Sequence, residues 1–356
     1  MTPMLIQNES QGRPSKTLQD RVQKYLVEEV RRGNLSQGDP VPTIKEMSLK
    51  LNVSTKVVFL ALKNMRDSGW FEKVSERKQI VSKGVDRLLM NQPLKLAFSS
   101  CGNGHILRGV YQVIYNHLQE MLADSKTEIN CLLEMDCTSN GTPQATYDAM
   151  IVSDWEPENF KNCVKGPVIG LDTWEGLKLD CVVKTDHFKG GEMAARHLYE
   201  CGKRKIVYWD LIEERARIHS GIDLRRLGFQ KGWMDCGGHL ADIKVLAVLA
   251  GDQKVVYSDY AKSADAYFFT CDYWALQAWD EFNEKGIRVP DDIAFMGFDG
   301  SYEALKHKPA LTTMEQPCRE IAERVIEIIN NTVLRGEEPD KDEVLVPPKL
   351  RLGGST

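Results

Sequence analysis

The sequence predicts a two-part chain: a small α+β head of three helices and a hairpin, then a longer two-lobed α/β body. Three observations carry this. Residues 16–83 show helical spacing broken by turn formers and followed by two short strand-like runs. Beyond Pro93 strand-like runs alternate with helical segments, the pattern of a parallel sheet with right-handed crossovers. Charge divides at the same place. Residues 13–83 hold fifteen Lys and Arg against eight Asp and Glu, a balance of +7; the whole chain is −5, which leaves −12 on the rest. A basic head on an acidic body is the asymmetry expected when only one part meets phosphate.

In the head, Leu18, Val22, Tyr25, Leu26 and Val30 recur at helical spacing and predict a first helix that stops at Gly33. Residues 34–42 are dense in Gly, Pro, Asn and Asp, a loop composition. Thr43-Ile44-Lys45-Glu46 is a capping box: the Thr43 hydroxyl takes an orphan backbone N–H and Glu46 reaches back to the cap. It starts a second helix that runs through Leu51. Asn52 and Val53 turn the chain, and Ser54 caps a third helix whose inner face is Val57, Val58, Ala61, Leu62 and Met65. Strands are expected at 70–74 and 79–81, with Arg77 and Lys78 near the tip between them. Three helices and a hairpin make a winged helix, here over 13–83.

Residues 84–93 read as a linker, with Leu88, Leu89 and Met90 able to dock on a neighbouring domain. Strands are predicted at 94–100, 129–135, 149–153, 168–172, 206–209, 243–249, 267–270 and 293–298, with a helix near 107–122. A body of about 260 residues, 94–356, is too long for one small sheet, so two Rossmann-like lobes are expected.

Several classes are excluded. No stretch approaches the roughly 18 uninterrupted apolar residues of a membrane span, and residues 1–16 lack a charged region followed by an apolar run, so a cytoplasmic protein without membrane contact is expected. Nine scattered cysteines without a CxxC pair suggest reduced thiols, not a disulfide frame or zinc knuckle. Cys101-Gly102-Asn103-Gly104-His105-Ile106-Leu107 follows the first strand as a dinucleotide fingerprint would. Leu107, however, stands at the third glycine position and no ribose-binding acid ends a strand about 20 residues on. The chain has no GxSxG elbow, HExxH or phosphate-loop GK[ST], so neither an enzyme nor a cofactor is expected.

The run from Gly33 to Trp70 (GNLSQGDPVPTIKEMSLKLNVSTKVVFLALKNMRDSGW) resembles the GntR family of bacterial regulators. In that family the third helix enters the major groove and its first turn reads bases. The resemblance places Thr43, Lys45, Ser54, Thr55 and Lys56 on double-stranded operator DNA, with Lys45 on phosphate, and makes Arg77 and Lys78 the wing contacts. Thr55 stands where the family usually has an arginine, and Ser75-Glu76-Arg77-Lys78 replaces its glycine-rich wing tip. A hydroxyl and a methyl cannot bridge guanine O6 and N7, so an unusual operator is implied.

Residues 186–205, 286–299 and 309–317, with the closing Ser355-Thr356, resemble the LacI/GalR sensor domain, which has the fold of periplasmic sugar-binding proteins. A GntR-type head on such a sensor is similar to the arabinose-repressor architecture. Carried over by position, the ligand contacts are Asp172, Arg225, Asp272, Asp299 and Gln316, with Cys271 in place of an asparagine and Gly300 in place of a frequent aspartate. Ser99, Ser100 and His105 sit at the first strand's end, where the other lobe lines the cleft. Carboxylates and a guanidinium suit vicinal hydroxyls, and Trp155, Trp174, Tyr273 and Trp274 are candidate stacking platforms. The reading is a homodimeric, ligand-responsive transcriptional repressor with a sugar as small-molecule effector. A purine or nucleoside effector is the alternative within the class. A sugar-binding or dinucleotide-binding enzyme-like α/β protein is the alternative outside it.

Overall fold

The computed structural model of the chain describes residues 16–75, 78–85, 94–100, 109–123, 131–136, 147–153, 164–171, 179–212, 221–249, 257–334, 337–339 and 342–356. By packing, the chain divides into two units. One comprises 1–94 with 125–132 and 327–339, and the other 95–124, 133–326 and 340–356.

In the first unit, α1 (Lys16–Arg31), α2 (Ile44–Leu51) and α3 (Thr55–Asp67) precede the antiparallel pair β1 (Phe71–Ser75) and β2 (Lys78–Val81). The caps have the local causes the sequence gives them. Glu46 N–H donates to Thr43 Oγ1 at 3.3 Å and Thr43 N–H to Glu46 Oε2 at 2.8 Å, so two donors at the start of α2 are satisfied reciprocally. Asn52 ends α2 in the left-handed region, at φ 51°, and Ser54 caps α3 by accepting from Val57 N–H at 3.3 Å. Val22, Leu26 and Val30 of α1, Met47 and Leu51 of α2, and Val57, Val58, Leu62 and Met65 of α3 close one core with Phe71 and Val81. Each such side chain contributes about 1.5–3 kcal/mol by leaving water. Val85, at the start of the segment read as a linker, is buried in this core too, so the head's packing runs past residue 83.

The second unit holds two six-stranded sheets. The first has the order β13-β7-β6-β5-β3-β4, from β3 (Leu94–Ser100), β4 (Cys131–Asp136), β5 (Ala149–Ser153), β6 (Val168–Leu171), β7 (Cys181–Thr185) and β13 (Glu343–Val346). The second has the order β14-β12-β11-β10-β8-β9, from β8 (Ile206–Ile212), β9 (Ile243–Leu249), β10 (Ala266–Phe269), β11 (Ala294–Asp299), β12 (Thr312–Glu315) and β14 (Lys349–Arg351). Pairing in the second sheet is parallel except at β14. Helices α4 (Gly109–Ala123), α5 (His187–Glu200), α6 (Gly221–Asp235), α7 (Asp272–Glu284), α8 (Tyr302–Lys306) and α9 (Cys318–Ile329) lie between strands in the chain. Within each sheet the first five strands run 2-1-3-4-5. The order therefore reverses between β3 and β5 in one sheet and between β8 and β10 in the other, the two places where such sheets open a crevice at their carboxyl ends.

Three interior strands, Ala149–Ser153, Val168–Leu171 and Ala266–Phe269, are buried at every position and almost wholly apolar, as expected of strands covered on both faces. Four strands escaped the sequence reading: β7, β12, β13 and β14. All have five residues or fewer, and β13 pairs with β7 from more than 150 positions away. No helix among the described residues is long and apolar enough to cross a membrane.

Two glycines decide how α5 meets α6. A Cβ on Gly191 would lie 2.1 Å from Arg225 O, and one on Gly228 would lie 1.9 Å from Phe188 O. Only glycine permits that backbone-to-backbone approach, and it brings Arg225 beside the first turn of α5.

Candidate functional site

Arg225 extends from the first half of α6 toward the end of β10 and is only 7% exposed. A buried guanidinium has to spend its donors on acceptors. Its Nε donates to His187 Nδ1 at 3.2 Å, its Nη1 donates to the Thr270 carbonyl just past β10, and the same Nη1 lies 3.8 Å from Asp299 Oδ1. Its plane stacks on Phe298, 3.9 Å from the ring centroid. Nη2 makes no hydrogen bond to the protein among the described residues.

Asp299 ends β11 at φ 119°, a region that side-chain-bearing residues rarely occupy. Gln316 holds it there twice: the Gln316 backbone N–H donates to Asp299 O at 3.1 Å and Gln316 Nε2 donates to Asp299 Oδ1 at 2.8 Å. The other end of the Gln316 amide accepts from Thr185 Oγ1 at 2.7 Å, so one buried side chain joins the end of β7, in the first sheet, to the end of β11 in the second. Strain of this kind costs about 1–3 kcal/mol and persists only where surrounding bonds over-determine it.

Asp272 opens α7 and is fully buried. Thr313 Oγ1 donates to its Oδ1 at 2.6 Å and Ser301 N–H to its Oδ2 at 2.7 Å. Gly297 leaves the room, since a Cβ there would meet Asp272 Oδ1 at 2.2 Å. Burial, and after it the neighbouring Asp299 charge, pushes the Asp272 carboxyl well above the usual carboxylate range. Burial likewise pushes the Cys271 thiol up to about 12. Asp210, near the end of β8, accepts from Arg226 Nη1 at 2.9 Å. Burial raises it to about 6, against the opposing pull of Arg226.

The structure thus gathers four of the sequence-predicted residues, Arg225, Asp272, Asp299 and Gln316, at the carboxyl ends of β10, β11 and β12. It gives them unequal tasks: Asp299 keeps a quarter of its side chain accessible, whereas Asp272 and Gln316 spend their polar atoms on the chain itself. Ser99 and Ser100 end β3, where their backbones pair with Val152 and Ser153. His105, Asp172, Trp174, Trp155 and Arg77 lie outside the described residues. Tyr273 is exposed, and Trp274 is half-buried with its ring centroid 5.0 Å from that of Trp209. His187, Thr185, Thr270 and Phe298 were missed by sequence reasoning. A usable signal existed in the glycine pair Gly190-Gly191 facing Gly228 and Gly232, which marks two helices in backbone contact.

In the head, Thr43, Lys45, Ser54, Thr55, Lys56 and Lys78 are all exposed. Thr43 and Ser54 are occupied as caps, while the remaining four project from α2, α3 and the start of β2.

Residues 195–356 match the family model of the periplasmic binding protein-like domain. This part of the chain is a periplasmic-binding-protein-like domain. Curated relatives of the chain include repressors. The sucrose operon repressor of Streptococcus mutans serotype c is 25% identical over 183 residues, covering 51% of this chain and 55% of that protein. The HTH-type transcriptional repressor PurR of Aliivibrio fischeri is 23% identical over 235 residues, covering 63% and 60%. The chain therefore spans little more than half the length of the curated relatives it matches. Among solved structures, the periplasmic binding protein/LacI transcriptional regulator from Alkaliphilus metalliredigens QYMF, complexed with D-xylulofuranose, superposes with a TM-score of 0.58 at 20% identity. It covers 73% of this chain and 98% of that one. The two-sheet α/β fold is accordingly the one seen in that LacI-family regulator structure, and the Arg225–Asp299 cluster sits at the carboxyl ends of its second sheet.

Proposed function

We propose that this chain is a ligand-responsive transcriptional repressor, with a GntR-type winged-helix head that binds operator DNA and a sensor domain that binds a sugar. The observation that carries the reading is the Arg225–Asp299–Gln316 cluster at the strand ends of a periplasmic-binding-protein-like domain, in one chain with a basic helix–turn–helix–hairpin unit. Asp299 is the hydroxyl-accepting carboxylate and Arg225 Nη2 the donor to a ligand oxygen. Asp272 and Gln316 fix the backbone that presents Asp299. The family resemblance assigns Asp172, Trp174, His105, Ser99 and Ser100 to the same ligand set. A homodimer places two heads on a pseudo-palindromic site, and a coupling of about 1–3 kcal/mol between ligand and DNA corresponds to roughly 5–150-fold in operator affinity.

Mono- and disaccharides added to the full chain in a thermal-shift screen, with purines and nucleosides in parallel, test the effector. A sugar at 100 times its Kd stabilises the chain by about 2.7 kcal/mol. A shift with nucleosides alone replaces the sugar by a base, and no shift with any of these removes the sensor assignment.

A further inference from the structure

We propose that Phe59 reads a thymine methyl in the bound duplex, an assignment that rests on the operator reading above. Phe59 lies on α3 and is 52% exposed; among the described residues it is the one large apolar side chain that this helix leaves half in water. The helix cannot roll to hide it, because Val57, Val58, Ala61, Leu62 and Met65 already fill the core from the opposite side. Counted at about 100° per residue, Thr55, Lys56, Phe59 and Lys63 fall within one arc of about 100°. All four are exposed and none is acidic.

An aromatic ring between lysines, on the outer face of a capped helix, matches one edge of the major groove. The lysines meet phosphate, which positions the helix without reading sequence. Phenylalanine has neither donor nor acceptor, so it cannot read a base through hydrogen bonds. The apolar group the major groove displays is the C5-methyl of thymine. Thr55, one turn nearer the cap, brings a methyl of its own to the same arc. A hydrophobic protein partner fits this face less well, because Lys56 and Lys63 would have to be desolvated on either side of the ring.

The test begins with the full chain and a random-sequence duplex pool. In the enriched duplex each thymine is replaced in turn by deoxyuridine, which removes the methyl and leaves every hydrogen-bonding group. Wild type is expected to lose about fourfold in affinity at one or two positions, the equivalent of about 0.8 kcal/mol for one methyl-sized group. Phe59→Ala abolishes that sensitivity, and Phe59→Leu, which keeps an apolar tip, retains most of it. Uridine duplexes that bind wild type equally at every position overturn the assignment, as does a Phe59→Ala protein with undiminished sensitivity. A pool that never enriches overturns the operator reading and this assignment with it.

Discussion

The outer face of α3 and the Arg225 cluster both present cations, but they hold them in opposite ways. Lys56 and Lys63 stand in water, so their reach is set by the ionic atmosphere and their loss leaves nothing unpaired. Arg225 is buried with His187, the Thr270 carbonyl and Asp299 around it, so its removal takes a partner from three groups at once. The first arrangement suits a polyanion that only has to be approached. The second suits a small neutral ligand, for which each donor must be aimed before binding.

The sharpest way to break this contrast is Arg225→Ala. Removing one partner from a buried charged network costs about 3–5 kcal/mol, read as the midpoint shift of a urea melt of the full chain, and it removes any effector-induced stabilisation. A variant that melts within 1 kcal/mol of wild type, taking about 1 as the scale of an exposed ion pair, would place Arg225 in the same regime as Lys56.

Next in size is the pH dependence carried by Asp210. Its folded pKa, raised to about 6 from 3.8, means that the native state holds this proton more tightly than the unfolded chain. The associated stability is present below pH 3.8 and is lost as pH rises through 6. Between pH 4.5 and 7, wild type should lose about 2 kcal/mol more than Asp210→Asn, which cannot ionise. Equal losses in the two proteins remove burial as the controlling influence at that site.

The smallest effect belongs to the exposed face. Lys56→Ala should leave the melt unchanged but lower the slope of log affinity against log salt by about 1 on any duplex. An unaltered salt slope means Lys56 touches no phosphate.

The same contrast explains what was legible in the sequence. The head was readable almost to the residue because its causes are local: Thr43 with Glu46, Ser54 with Val57, and apolar positions three and four apart. In the body, Val168–Leu171 and Ala266–Phe269 announce themselves by composition. Lys349–Arg351 does not, since a three-residue strand is recognisable only through its partner β12. Arg225, Asp272, Asp299 and Gln316 came from family motifs, which name positions but not duties. That Asp272 is wholly occupied by Thr313 and Ser301, or that Gln316 spans two sheets, depends on contacts across more than 25 and 130 positions respectively. His187 is betrayed only indirectly, by the glycines at 190, 191, 228 and 232 that let α5 approach α6.

The burial of Ser355 carries a consequence for biosynthesis. Its hydroxyl donates to Phe295 O at 2.7 Å and accepts from Thr312 N–H at 2.8 Å, deep in the second sheet, and β13 completes the edge of the first sheet beside β7. Neither sheet has its full complement of strands until the ribosome has passed residue 343, and the second waits until 355. The core of α1–α3 and the hairpin is complete by Val85. At roughly 5–20 residues per second, that head emerges some 15–50 s before the last strand partners do. The unit built from α1–α3 and the hairpin is thus complete well before either sheet that follows it.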